Sequence, residues 1–246
     1  MTNCKECNKQ IIENFCSHCG QPAKLKRIDK HYISHEVLHL LHFEKGFLYT
    51  AKELIKRPGY SIREFINENR TKHMKPVAFL ILTSLLFTLI AHIFHADDIY
   101  NGKENLEFGK SSINDILHWV QTHLGYANIL MGIFIALCVK LFFRKYKYNL
   151  FEITVLLCFV MGQGMLLLTL ITFFVGIITQ QLYTILISVI GFAYPTWAIG
   201  QFFESAKIVS YIKAFFAYLL GYLFFYIAII PIGLIADLII KIFHSN

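Results

Sequence analysis

The chemistry in this chain is concentrated at its beginning. Cys4, Cys7, Cys16 and Cys19 form two C-x-x-C pairs, and Gly20 follows the second. Each pair makes a tight knuckle, and a glycine after it takes up the positive φ that the turn needs. Four thiolates around one ion select zinc, with iron the less common alternative. The spacing therefore predicts a small Cys4 zinc ribbon over 1–24, with zinc as a structural cofactor. Of the other two cysteines, Cys138 and Cys158 lie inside apolar runs and read as small core hydrophobes.

A second constellation comes next. His31, His35, His39 and His42 fall on one stripe of a helix predicted from Ile28 to Glu44, with Gly46 as its closing cap. Within it, His35-Glu36-Val37-Leu38-His39 matches H-E-x-x-H, which places two zinc ligands one turn apart beside a general base. The extended form of that motif fails, because positions 42 and 45 are His42 and Lys45. A metalloprotease using His35, Glu36 and His39 is thus one reading. A metal-binding or proton-sensing histidine stripe is a second, and the plainest is an interfacial helix whose imidazoles face headgroups or carboxylates.

The elements that must carry these groups are mostly lipid-soluble. Of 246 residues, 56% are hydrophobic and 16% charged, against roughly 25% charged in average soluble domains. Apolar runs near 77–94, 128–143, 150–178, 183–203 and 214–240 predict about five transmembrane helices. The long stretch from Leu150 to Phe203 divides at Thr179-Gln180-Gln181. Pro195 should kink the fourth span, and Pro231 leaves the last run either a single crossing or a bend. With the N-terminus inside, 20 of the 23 Lys and Arg residues fall on the cytoplasmic side. The positive-inside rule then puts the cysteine knuckles in the cytoplasm, where thiols stay reduced, and the C-terminus outside. The predicted fold class is an all-α membrane protein: ribbon 1–24, cytoplasmic amphipathic helices 25–75, transmembrane bundle 76–246. Phe47–Arg57 reads as one juxtamembrane helix, stopped by Pro58-Gly59. Another starts at Ser61, which has capping-box spacing to Glu64.

Within the spans, polar residues are candidates for function. Lys140 can snorkel, Glu152 lies near Lys145 and Lys147, and Asp237 precedes Lys241 by one helical turn. Gln163 sits between Gly162 and Gly164 in the middle of a span, placed for an interhelical hydrogen bond or for a solute path. Arg57, Arg63, Arg70, Lys72 and Lys75 precede the first span. They read as contacts to anionic headgroups or as plain topological anchors.

Further residues carry a resemblance. After Cys4-x-x-Cys7 and Phe15-Cys16-x-x-Cys19-Gly20-Gln21 come Lys45-Gly46-Phe47-Leu48-Tyr49-Thr50 and Leu54. Arg57-Pro58-Gly59, Ile62-Arg63-Glu64-Phe65-Ile66, Arg70 and Pro76 complete the order. Over residues 1–80 this resembles an uncharacterised bacterial family of zinc-ribbon multi-pass membrane proteins, domain of unknown function 3667. The family usually has Gly-Lys-Arg where this chain has Glu68-Asn69-Arg70, so the turn there must be built differently. The resemblance implies a ribbon joined to a bundle in a bacterial inner membrane. It implies no activity and no catalytic residues.

Three functions stand as expectations. The leading one is a non-enzymatic membrane protein whose ribbon docks a cytoplasmic partner or braces the bundle. The second is a small-solute or ion transporter or channel using Gln163, Pro195 and Asp237. The third is the metalloprotease. The lipid bilayer is the expected partner, with a cytoplasmic protein or a second copy of the chain also open. Nucleic acid is not an expected partner, because membrane topology already accounts for the cations.

Overall fold

The computed structural model describes residues 2–3, 10–11, 17–18, 46–68, 70, 72–96, 111–122 and 124–244. The chain divides into two compact units, 1–45 and 46–246. In the first, strand β1 (Thr2–Asn3) pairs antiparallel with β2 (Gln10–Ile11), Thr2 opposite Ile11 and Asn3 opposite Gln10. Ser17 and His18 form an exposed turn. The four paired cysteines, the histidine stripe and Glu36 lie outside the described residues.

The second unit is helical. Helix α1 is described over 46–56, Gly46 included, and the helix expected over 28–44 lies outside the described residues. Helix α2 is Pro58–Asn67, with Arg57 as its N-cap and Pro58 in the first turn. It begins three residues before the expected start at Ser61. Proline has φ already set for a first helical position and has no N–H to leave unpaired, so it initiates the helix rather than merely ending the previous one. Ser61 is therefore buried inside α2, and Glu64 binds Lys72 instead of closing a capping box.

Beyond α2 lie five apolar helices: α3 (Pro76–Ile93), α5 (Leu124–Phe142), α6 (Leu150–Thr172), α7 (Gln180–Glu204) and α8 (Ile208–His244). Four of them, all but α5, are long and apolar enough to cross a membrane, and α5 contributes the shorter apolar stretch Tyr126–Phe142. The ends are set by local chemistry. Pro76 opens α3. Asn149 and Glu152 form a reciprocal capping box on α6, at 2.9 and 2.7 Å. This capping role, not a lysine, is what engages Glu152. Thr179 Oγ1 accepts from Leu182 N to cap α7, so the long apolar stretch divides where expected. Helix α8 runs unbroken through Pro231 for 37 residues. At about 1.5 Å per residue it exceeds the roughly 30 Å hydrocarbon core.

Between the first two apolar helices lies a further element that the apolar runs do not mark. Helix α4 (Ser112–Thr122) packs against α8 and α5. Its Ile113, Ile116, Leu117 and Val120 share one face at i, i+3, i+4, i+7 spacing. The axis of the bundle is α6: 67% of its apolar stretch is buried inside the protein, against 17% for α8. Outward-facing residues such as Ile81, Leu85 and Leu89 on α3 remain exposed. Apolar surface on this scale in water would drive association, and in a bilayer it faces lipid.

Helices α5 and α8 approach closely at Gly221, where an added Cβ would lie 2.5 Å from the Ile135 Cα. The obstacle is backbone, which cannot rotate away. We expect Gly221→Leu to destabilise the bundle by about 2–3 kcal/mol, read as a lowered unfolding midpoint of the purified protein in detergent.

Candidate functional site

Two regions of the second unit combine buried polar groups with defined geometry. One is a clamp built by the residues just before the first span. Helix α2 packs on α7 and α6. At Gly59 a Cβ would collide with the Gln201 carbonyl, so only glycine admits this approach. The Gly59 amide donates to Gln201 Oε1 at 2.8 Å. Arg63 donates to the carbonyl oxygen of Gln201 at 2.8 Å and to that of Phe202. These carbonyls lie in the last turn of α7, where helical oxygens have no helical donor. The guanidinium supplies donors and a positive charge at the negative end of the helix dipole. Tyr194 adds a bond from its hydroxyl to the Leu54 carbonyl on α1, at 3.1 Å.

Three other cations of this stretch, Arg57, Lys72 and Arg70, also have protein acceptors. Arg57 Nε donates to Glu53 at 2.6 Å and its guanidinium lies 4.8 Å from the Tyr60 ring centroid. Lys72 pairs with Glu64 at 3.0 Å and holds that carboxyl below its ordinary range. Arg70 reaches the Ile66 carbonyl at 3.2 Å. Lys75 is exposed at the N-cap of α3. At the same end, Glu204 accepts from the Tyr146 hydroxyl and from Lys207, both at 2.6 Å, and Lys145 lies 3.8 Å away. Lys140 donates to the Tyr148 carbonyl. The connections α5–α6 and α7–α8 are thus tied together.

Inside the clamp, His73 is buried. Its ring lies 5.1 Å from that of Tyr49 and near those of Phe65 and Phe159. Thr50 Oγ1 accepts from the Met74 amide at 2.9 Å and is 3.5 Å from His73 Nδ1. Among the described residues, His73 Nε2 has no partner. Desolvation pushes the imidazole pKa below its ordinary value; Glu64 and Glu53 oppose this, and Lys72 and Arg57 add to it.

The second region is within the spans. Gln163 is fully buried, and neither its Oε1 nor its Nε2 has a hydrogen-bond partner among the described residues. Asp237 does not turn to Lys241. Its carboxylate accepts from Ser111 Oγ at 2.6 Å and from the Ser112 amide at 2.7 Å, capping α4 from α8. A cavity of about 260 Å³ lies between the helices; Pro195 lines it, and Gln163 and Asp237 are not among its lining residues. The structure therefore does not bring together the three residues expected to mark a solute path. Among the described residues no three His, Cys, Asp or Glu side chains are grouped to hold a metal.

Residues 44–88 match a family described as protein of unknown function, DUF3667. The matched stretch covers α1, α2, most of α3 and the clamp's Gly59 and Arg63. It stops short of the cysteine pairs on one side and of most of the bundle on the other. No curated protein and no solved structure matches the chain.

Two outcomes test this geometry. Arg63→Ala should cost about 2 kcal/mol, because hydrogen bonds to a charged group contribute roughly 1.5–3 kcal/mol and this one is part-exposed. Arg63→Lys should recover only part of the loss, because both bonds come from Nη1 and the lysine ammonium, on a shorter stem, must reach the same point to make them. His73 gives a pH signature. Its folded pKa is depressed, so below about pH 6.5 the unfolded chain takes up a proton that the native state refuses. Stability should be flat above that pH and fall as the pH drops toward the folded pKa. His73→Phe should remove this part of the acid limb in unfolding curves.

Proposed function

We propose that this is a non-enzymatic multi-pass membrane protein, with an N-terminal zinc ribbon that docks a partner or braces the bundle at the cytoplasmic face. What supports a structural role for the segment before the first span, which is separate from the ribbon, is Arg63 on the last-turn carbonyls of α7, with Gly59 seated against the same turn. A segment in which Arg57, Arg63, Arg70 and Lys72 are engaged with backbone carbonyls and carboxylates is built to hold structure. Surface contact with anionic headgroups remains open to Lys75, and to Lys72 and Arg57, which are 52% exposed while paired.

The zinc half rests on donor chemistry and on two local observations. The β1–β2 ladder brings together the chain on either side of Cys4 and Cys7, as a hairpin knuckle requires. Ser17 and His18, the two residues between Cys16 and Cys19, form a turn. Four thiolates at this spacing suit zinc, whose binding supplies on the order of 10–16 kcal/mol in small peptides. That is enough to hold a fold with almost no core. The cytoplasmic orientation rests on charge: Arg57, Arg63, Lys145 and Lys207 gather at the clamp end of the bundle.

Metal analysis of the purified chain should find one zinc, lost in Cys16→Ser. In that variant residues 1–45 should become protease-sensitive, while membrane insertion and the unfolding midpoint of 46–246 stay as in the parent. Retention of zinc by the variant contradicts the ribbon. A second zinc that survives removal of the cysteines redirects attention to His35, Glu36 and His39.

A further inference from the structure

We propose that the cavity within the bundle is a binding site for a neutral aromatic molecule of one or two fused rings carrying a hydroxyl or carbonyl group. The site stands apart from the ribbon and from the clamp, and it does not depend on the role of either. Residues from α3 through α8 line it, and Phe87, Val120 and Met165 place it toward the end of the bundle away from α2.

Its size is the first argument. The volume is about 260 Å³, while an apolar cavity of about 150 Å³ accepts benzene. The space is kept open by two helical glycines. At Gly164 on α6 and Gly191 on α7, an added Cβ would meet nothing within 4 Å. Glycine in a helix interior costs about 1 kcal/mol relative to alanine, and here close packing does not call for it.

The lining sets the chemistry. Met131, Met161 and Met165 present three thioethers, which are polarizable and favour contact with aromatic rings. Phe192 packs edge-on against Tyr218 and Tyr222, with ring centroids 5.7 and 5.5 Å apart. No lining residue carries a charge. An ion brought to this depth would therefore lack a counter-charge and lose its hydration.

Polar recognition comes from few groups. Asn128 is buried at 7% exposure, and among the described residues its Nδ2 donates to the Met165 sulfur, at 3.5 Å. A thioether is a weak acceptor, so a ligand oxygen offers the amide a better one. Pro195 has no N–H, so the Gly191 carbonyl four residues earlier loses its usual helical donor at the cavity wall. A ligand hydroxyl fits that acceptor. The Asn128 amide and the Gly191 carbonyl thus add to the hydroxyl-bearing lining residues Ser188, Tyr218, Tyr222 and Tyr226, a few polar groups on otherwise apolar, aromatic walls, the pattern of a small-molecule site.

Equilibrium dialysis of the full chain in lipid nanodiscs against 1-naphthol tests the proposal, with protein-free nanodiscs as reference. The expected result is saturable binding of one molecule per chain. Gly191→Leu and Gly164→Leu should each weaken it at least tenfold while leaving the unfolding midpoint unchanged or raised, because both side chains enter open space. Binding no greater than in empty nanodiscs overturns the proposal, as does wild-type affinity in both variants. Equal affinity for 1-naphthalenesulfonate or a naphthyl quaternary ammonium ion also overturns it, since the site would then tolerate charge. So does one tightly held phospholipid per chain, found by mass spectrometry and released in Gly191→Leu, because the occupant would then be an acyl chain.

Discussion

The carbonyl oxygens of a helix end must find donors, and in this protein a helix from the first third of the chain supplies them. Helix α7 finishes beneath α2, where water cannot solvate its last turn freely. Arg63 meets the oxygens of Gln201 and Phe202, and Gly59 lets the two backbones come close enough for it to do so. Removing the guanidinium would leave acceptors buried and unpaired, which costs more than the bond itself contributes. The position of α2, the burial of His73 and the contact of Phe65 with Phe159 in α6 all depend on that seating.

The two ends of the bundle are built differently. At the clamp end, ion pairs and hydrogen bonds tie the connections together: Glu204 gathers Tyr146, Lys145 and Lys207, and Lys140 reaches a loop carbonyl. Toward the other end Asp237 caps α4, and between it and the clamp the helices leave space around Gly164 and Gly191. Gln163 lies between these regimes, its amide unpaired among the described residues. The proposed ligand site thus lies away from the end where α2 is clamped.

The features legible in the sequence are local ones. Pro76 and Thr179 mark span starts because proline geometry and hydroxyl capping act within one turn, and bilayer-length apolar runs need no partner to be recognised. The Asn149–Glu152 capping box is equally local, but its N-x-x-E spacing is masked by the lysines nearby, which offer Glu152 a simpler ion pair. Ser61 misleads because its capping spacing competes with Pro58, whose ring fixes its own φ whatever residues come after it. The Ile113–Val120 periodicity of α4 is present but short, inside a stretch that reads as an outer loop. The partners of Arg63 and Asp237 are not legible at all, since they lie 138 and 126 residues away. Arg63, in particular, is indistinguishable in sequence from a headgroup-binding arginine. The ribbon and the histidine stripe fall outside the described residues, and their reading still rests on spacing.

Hydrogen–deuterium exchange of the purified chain in nanodiscs tests the seating of α2 most directly. The account predicts that the amides of Ile62, Phe65 and Ile66 exchange as slowly as those in the buried middle of α6, and that they lose this protection in Arg63→Ala. Exchange of these amides in the intact protein at the rate of an unstructured peptide would contradict it.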